Sequence, residues 1–268
     1  MDNVGAVLDA CVLFPMYLRD TLLSTAEAGL YLPYWSHKIL DEAVGNIVST
    51  GKMSAEKAMK LEEIIKKAFP GAMVEVPVGL ADVMANHPKD RHVLAAAVAA
   101  KADVIVTDNL KDFPPKALAP WNIKVQSPDD FLSDLFDEYP DEVAQVIQRQ
   151  VNKYKKTKKD VLELLDFYVK NNVISTFASH LLFYQYSEEV VKTVKKALNK
   201  CGRSAPEGGQ FLEGEKYRLW QQGQTLTVIA KDSRGEILRV QDSEIMGELS
   251  PADVKAFQAF QKFALILD

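Results

Sequence analysis

The chain has 268 residues, 32 basic and 37 acidic, giving a net charge of −5; this length can bury a full core with material left for a second module, and so mild a charge excludes neither nucleic-acid nor small-molecule partners. Its two cysteines, Cys11 and Cys201, are far apart, which excludes a disulfide framework and a C-x-x-C metal pair. No basic leader opens the sequence and no apolar run approaches the roughly 20 residues that span a bilayer, so the expectation is a soluble, unprocessed, cytoplasmic protein with no membrane partner.

In chain order, Val4 to Leu8 predicts a buried parallel strand ending at Asp9. Tyr17 to Gly29 has helical spacing through Leu18, Leu22 and Ala26, with Gly29 as the C-terminal stop. Tyr31 to Pro33 predicts a second strand, and Ser36 an N-cap for a helix whose apolar stripe is Leu40, Ala43, Val44 and Ile47. At 100° per residue, Glu42 and Asn46 fall together on the flank of that helix. Further on, Ser54 to Ala68 predicts a helix, Met73 to Pro77 a strand, Arg91 to Ala102 an alanine-rich helix, and Val104 to Thr107 and Ile123 to Val125 two more strands. Alternation of this kind predicts a parallel sheet covered on both faces, with ligands gathering at the carboxyl ends of the strands.

Acidic residues sit where those ends should be. They are Asp9 in VLDACVLFP, Glu42 in ILDEAVGNI, Asp90 in PKDRHVLAAA, and Asp108 and Asp112 with Asn109 in VTDNLKDF. A carboxylate after a buried strand costs several kcal/mol, roughly, if left unpaired, and several together repel, so the pattern calls for a compensating cation. Mg²⁺ or Mn²⁺ is the expected cofactor, since both take oxygen ligands from one or two carboxylates. Asp9 and Asp90 are the leading candidate ligands, with Glu42 and Asp108, Asn109 or Asp112 completing the shell or orienting a water. Each has a bland reading as well: Asp90 as a helix cap, Glu42 as a solvated flank, Asp108, Asn109 and Asp112 as turn residues. His87 and His92 are five apart, on different faces of a helix, and do not read as a zinc pair.

Residues from about 4 to 135 resemble the PIN domain, a Rossmann-like nuclease fold found in VapC-type toxins and other RNases. VLDACVLFPMYLRDTLL resembles the first motif of that family, ILDEAVGNI the second, and KDRHVLAAAVAAKADVIVTDNLKDFP the third and fourth together. The resemblance implies metal-dependent hydrolysis of RNA phosphodiester bonds leaving a 5′-phosphate, an antitoxin partner if the chain is a toxin, and a homodimer; DNA is not excluded as a substrate. Two departures stand out. Related sequences carry further acids where this chain has Asn86-His87-Pro88-Lys89, and the fourth acidic position falls on Asn109, with Asp108 in a variable slot. These departures support an alternative, a PIN-like RNA-binding or assembly module with a degraded metal site. A metal-dependent phosphatase of small substrates is a third reading.

An acidic site that acts on a polyanion needs cations at its rim. Arg19, Lys38, Lys89, Arg91 and Lys111, with Asn46, are the candidate substrate contacts. The basic run Lys153 to Lys159, with Tyr154, reads as solvated surface or as a single-strand contact.

The expected organisation is a PIN-like domain over 1–135, a helical extension over 136–201 and a small α+β domain over 210–268. Gly202 to Gly209, before the last of these, reads as a linker, and within that last domain Tyr217 to Trp220, Thr225 to Ala230 and Ile237 to Val240 read as a three-stranded meander. A helix opening at Ser250-Pro251-Ala252-Asp253 would then pack Phe257, Phe260 and Phe263 on that sheet.

Overall fold

The computed structural model describes residues 3–154, 159–206 and 208–266, with side chains described up to residue 261. Its contacts divide the chain into two compact units, residues 1–158 and 159–268.

The first unit is built on a four-stranded parallel sheet of order β2-β1-β3-β4, with β1 at Gly5–Leu8, β2 at Leu32–Tyr34, β3 at Val104–Val106 and β4 at Lys124–Gln126. The central strands β1 and β3 are buried along their whole length, which explains their unbroken apolar composition, whereas the edge strands are partly exposed. Around the sheet lie α1 (Ala10–Leu13), α2 (Met16–Glu27), α3 (His37–Ser49), α4 (Ala55–Ala68), α5 (Arg91–Ala100), α6 (Pro115–Leu118), α7 (Pro128–Glu138) and α8 (Pro140–Lys153). This is the Rossmann-like α/β fold expected from the alternation of elements.

Local signals account for some of the helix limits. Ser36 caps α3 by accepting from the Ile39 amide at 3.3 Å. Gly29, at φ 79°, takes the left-handed conformation just beyond α2. On α5 the run Ala95 to Ala97 is completely buried, small side chains letting the helix pack closely. The expected strand at Met73 to Pro77 does not form. Only a single bridge joins Met73 to Trp35, just past β2, and Pro77 has no amide to extend a ladder.

The second unit holds α9 (Val161–Lys170) and α10 (Ser175–Cys201), followed by an antiparallel sheet and α11 (Pro251–Ile266). The expected extension over 136–201 is helical, but α7 and α8 belong to the first unit and α9 and α10 to the second. Helix α10 packs on α9 and α11, burying Leu181, Val190, Val194 and Leu198.

The sheet has six strands rather than the three expected: β5 (Arg203–Ser204), β6 (Gln210–Glu213), β7 (Tyr217–Gln222), β8 (Thr225–Ala230), β9 (Glu236–Gln241) and β10 (Glu244–Gly247), in meander order. The extra strands are the short, largely exposed outer ones, which lack the apolar alternation that marks β7 to β9. Residues 203–204, read as linker, pair with β6. Between β9 and β10, Asp242 and Ser243 both have positive φ, 51° and 70°, the geometry of a two-residue hairpin turn. Phe257 is buried against Tyr217 and Phe260 is partly exposed, while the Phe263 side chain lies outside the described residues. Among the described residues no helix is long and apolar enough to cross a membrane.

Candidate active site

The register of the parallel sheet sets the first contact of the site. Leu8 pairs with Val106, so the residues that follow, Asp9 and Thr107, leave the carboxyl ends of β1 and β3 side by side. Asp9 is 3% exposed, and its two oxygens are held separately: Oδ1 accepts from the Ala10 amide at 2.6 Å, as the cap of α1, and Oδ2 accepts from the Thr107 hydroxyl at 2.7 Å. Thr107 Oγ1 in turn accepts from the Asn109 amide at 3.0 Å. The Cys11 thiol lies 3.4 Å from Asp9 Oδ2 and 3.3 Å from Thr107 Oγ1. Burial first and the Asp9 charge second push that thiol up to about 12, so it stays protonated and unreactive.

A second set of acids comes from the turn before α5 and the turn after β3. The His87 amide donates to the Asp112 carbonyl at 3.0 Å, and the Asp90 amide donates to the His87 carbonyl at 2.9 Å. These backbone bonds gather His87, Asp90 and Asp112, whose ligand atoms all lie within 4.8 Å of one another. The charges crowd one another. Partial burial, then Asp9, then Asp112 raise the Asp90 carboxyl above its ordinary value of 3.8, opposed only in part by His87 and His92. Partial burial and Asp9 raise Asp108 in the same direction. Among the described residues none of Asp9, Asp90, Asp108 and Asp112 lies within ion-pair distance of a lysine or arginine; the one short contact to a basic side chain is His87 Nδ1 to Asp90 Oδ2, 3.5 Å.

Glu42 stands apart from that group, on α3, with its Oε2 3.1 Å from His92 Nε2. His92 Nδ1 lies 2.9 Å from the Lys89 carbonyl, which can only accept, so Nδ1 donates there. Nε2 is buried and lacks the alignment of a hydrogen bond despite its nearness to Glu42. Asn86, one residue before His87, is 2% exposed with neither amide atom hydrogen-bonded.

Two carboxylates and an imidazole within reach of one point, with Asp9 close enough to help raise the Asp90 carboxyl, form a donor set that fits a divalent cation of the first transition row or Mg²⁺. Both oxygens of Asp9 are already engaged, yet each carboxylate oxygen has a second lone pair, so a cation contact is compatible with the cap.

The candidate substrate contacts divide. Lys38, Asn46, Lys89 and Lys111 are exposed, and Arg91 is half-buried with an unpartnered Nε. Arg19 is a correction: it is 5% exposed and donates to the carbonyl oxygens of Leu13 and Phe14, so its guanidinium secures the α1–α2 connection and does not face solvent. Of the basic run, residues 155–158 lie outside the described residues; Lys153 pairs with Glu27 and the Tyr154 hydroxyl donates to Asp20. Thr107 and His87 are site residues that the reading from sequence passed over.

Residues 5–111 match a family model described as PIN domain, and residues 128–182 match one described as VapC50 C-terminal domain. Among curated proteins, a stretch of 71 residues is 56% identical to a Mycobacterium tuberculosis (strain H37Rv) protein named "Putative ribonuclease VapC50". That stretch covers 26% of this chain and 42% of the relative, so the match spans less than half of the relative's length. No solved structure matches the chain.

Proposed function

We propose that this chain, which carries a PIN domain over residues 5–111, is a metal-dependent ribonuclease and the toxin of a toxin–antitoxin pair. The observation that carries the reading is the charge balance of the site. Asp9, Asp90, Asp108 and Asp112 come together from three segments, and among the described residues no lysine or arginine lies within ion-pair distance of them, a costly arrangement unless a cation from outside completes it. The name of the M. tuberculosis relative, a putative ribonuclease, supports RNA as the substrate, and the resemblance to VapC-type toxins implies the antitoxin partner.

In this reading Asp90 and Asp112, with Asp9, hold Mg²⁺ or Mn²⁺, and a bound divalent ion supplies Lewis acidity toward the phosphate and lowers the pKa of a water. The chain's own residues do the positioning. Asp9 keeps one orientation because Thr107 and the α1 amide hold its two oxygens. Asp108, the exposed carboxylate of the group with a raised pKa, is suited to orient the attacking water and take its proton. Glu42, backed by His92, completes the acidic wall. Lys38, Lys89 and Lys111 are exposed to meet phosphates of the RNA, and Asn46 its sugar edges. An antitoxin segment would cover the acidic site with a basic side chain, and a homodimer would lengthen the groove.

The test is cleavage of labelled single-stranded RNA with Mn²⁺, Mg²⁺ or EDTA, for wild type, Asp9→Asn and Asp90→Asn. The expected result is cleavage that needs metal, leaves a 5′-phosphate and falls about a thousandfold in both variants. RNA bound but left intact by the wild type, in every metal, would instead favour the RNA-binding module, to which the Asn86 to Lys89 departure points.

A further inference from the structure

The turn that presents Asp90 presents an imidazole with the same rigidity. His87 precedes Pro88, and its φ of −54° and ψ of 132° lie in the extended region to which a residue before proline is confined. Its amide is tied to the Asp112 carbonyl and its own carbonyl to the Asp90 amide. These backbone bonds fix the Cα and Cβ from which the ring extends toward Asp90. Nδ1 lies 3.5 Å from Asp90 Oδ2, within the group of three donors that span at most 4.8 Å, and among the described residues the ring makes no hydrogen bond that would compete with a ligand role.

A nitrogen donor changes which ion such a site prefers. Mg²⁺ is a hard ion that takes oxygen ligands and gives up its waters reluctantly; imidazole suits Zn²⁺, Cu²⁺, Fe²⁺ and Ni²⁺, and Mn²⁺, though it favours oxygen donors, accepts a nitrogen ligand more readily than Mg²⁺ does. We propose that His87 supplies a nitrogen ligand beside the carboxylates of Asp90 and Asp112, so that the site takes transition-metal ions in preference to Mg²⁺. The proposal rests on the metal-dependent reading above and sharpens it by naming a residue that selects the cation. Crowding of Asp90 by Asp9 and Asp112 adds to the demand for positive charge, but an all-carboxylate site would share that demand; the ring is what distinguishes the ions.

The experiment uses the full chain and two readouts other than activity. Calorimetric titration gives the affinity for Mn²⁺ and for Mg²⁺, and pulsed electron paramagnetic resonance of the Mn²⁺ complex reads nitrogen coupling from a bound imidazole. Wild type should show that coupling. His87→Ala, which keeps both backbone bonds of the turn, should lose it, bind Mn²⁺ about tenfold more weakly and bind Mg²⁺ within about twofold of wild type. His87→Asn, with an amide oxygen in place of the ring, should retain Mg²⁺ binding and lack the nitrogen signal. Mn²⁺ bound without nitrogen coupling in the wild type, or coupling that persists in His87→Ala, would overturn the assignment while leaving carboxylate metal binding intact. Failure of the wild type to bind either ion would remove the metal-dependent reading and this inference with it.

Discussion

Each unit of the chain has a deeply buried aspartate, and the two are treated in opposite ways. Asp253 in the second unit is completely buried, yet Arg234 reaches it with both terminal nitrogens, Ser250 donates from its amide and its hydroxyl, and the Tyr217 hydroxyl adds a further bond at 2.7 Å. These partners outweigh burial and hold its carboxyl below the ordinary range. Asp9 in the first unit is almost as buried, and around it are other acids: Asp90 and Asp108 are both raised, in part by its charge. A carboxylate that serves the fold brings its own cation. In the function proposed above, one left among other carboxylates would be matched by a bound cation, and that contrast singles out the site.

The largest effect that would sharpen the contrast is on Asp253. Asp253→Asn leaves Arg234 without its buried partner and should destabilise the second unit by about 3 kcal/mol, reduced from the full cost of a broken buried pair because Arg234 is partly exposed. In the first unit, Asp90→Asn should raise the stability of the metal-free protein by up to about 1 kcal/mol, since it removes repulsion rather than attraction. Denaturant melts followed separately in the two units check both signs. A loss of stability for Asp90→Asn without metal would break the comparison.

A smaller effect is expected with pH. The Asp90 and Asp108 carboxyls are raised on folding, so without metal their contribution to stability is fully present below the ordinary value of 3.8 and is lost as pH rises through the raised values. Asp253 is lowered, so its contribution is present above 3.8 and is lost as pH falls through the depressed value. Taken alone, these groups give the two units opposite slopes in metal-free buffer, the first unit losing stability as pH rises above the ordinary value of 3.8 and the second as pH falls below it, measurable by melts of wild type against Asp90→Asn and Asp253→Asn.

Much of the first unit is legible in the chain because β1 and β3 are buried on both faces and read as unbroken apolar runs, each ended by a polar residue that the register then brings together. What escaped depends on backbone geometry that no residue pattern carries. His87 joins Asp90 and Asp112 through two main-chain hydrogen bonds, and spacing on an ideal helix placed it elsewhere because residues 88–90 form a tight turn ahead of α5. Arg19 was misread for a related reason: its charge predicted a solvent-facing role, while free carbonyls at the end of α1 drew it inward. In the second unit the outer strands are short and polar, and pairing rather than periodicity defines them.

Hydrogen exchange of the full chain with and without Mn²⁺, read by mass spectrometry, tests the central claim most directly. The account predicts that Mn²⁺ slows exchange in the segments around Asp9, Asp90 and Asp112, leaves residues 203–247 unchanged, and has no such effect in Asp90→Asn. Exchange around those acids that is the same with and without the ion would contradict it.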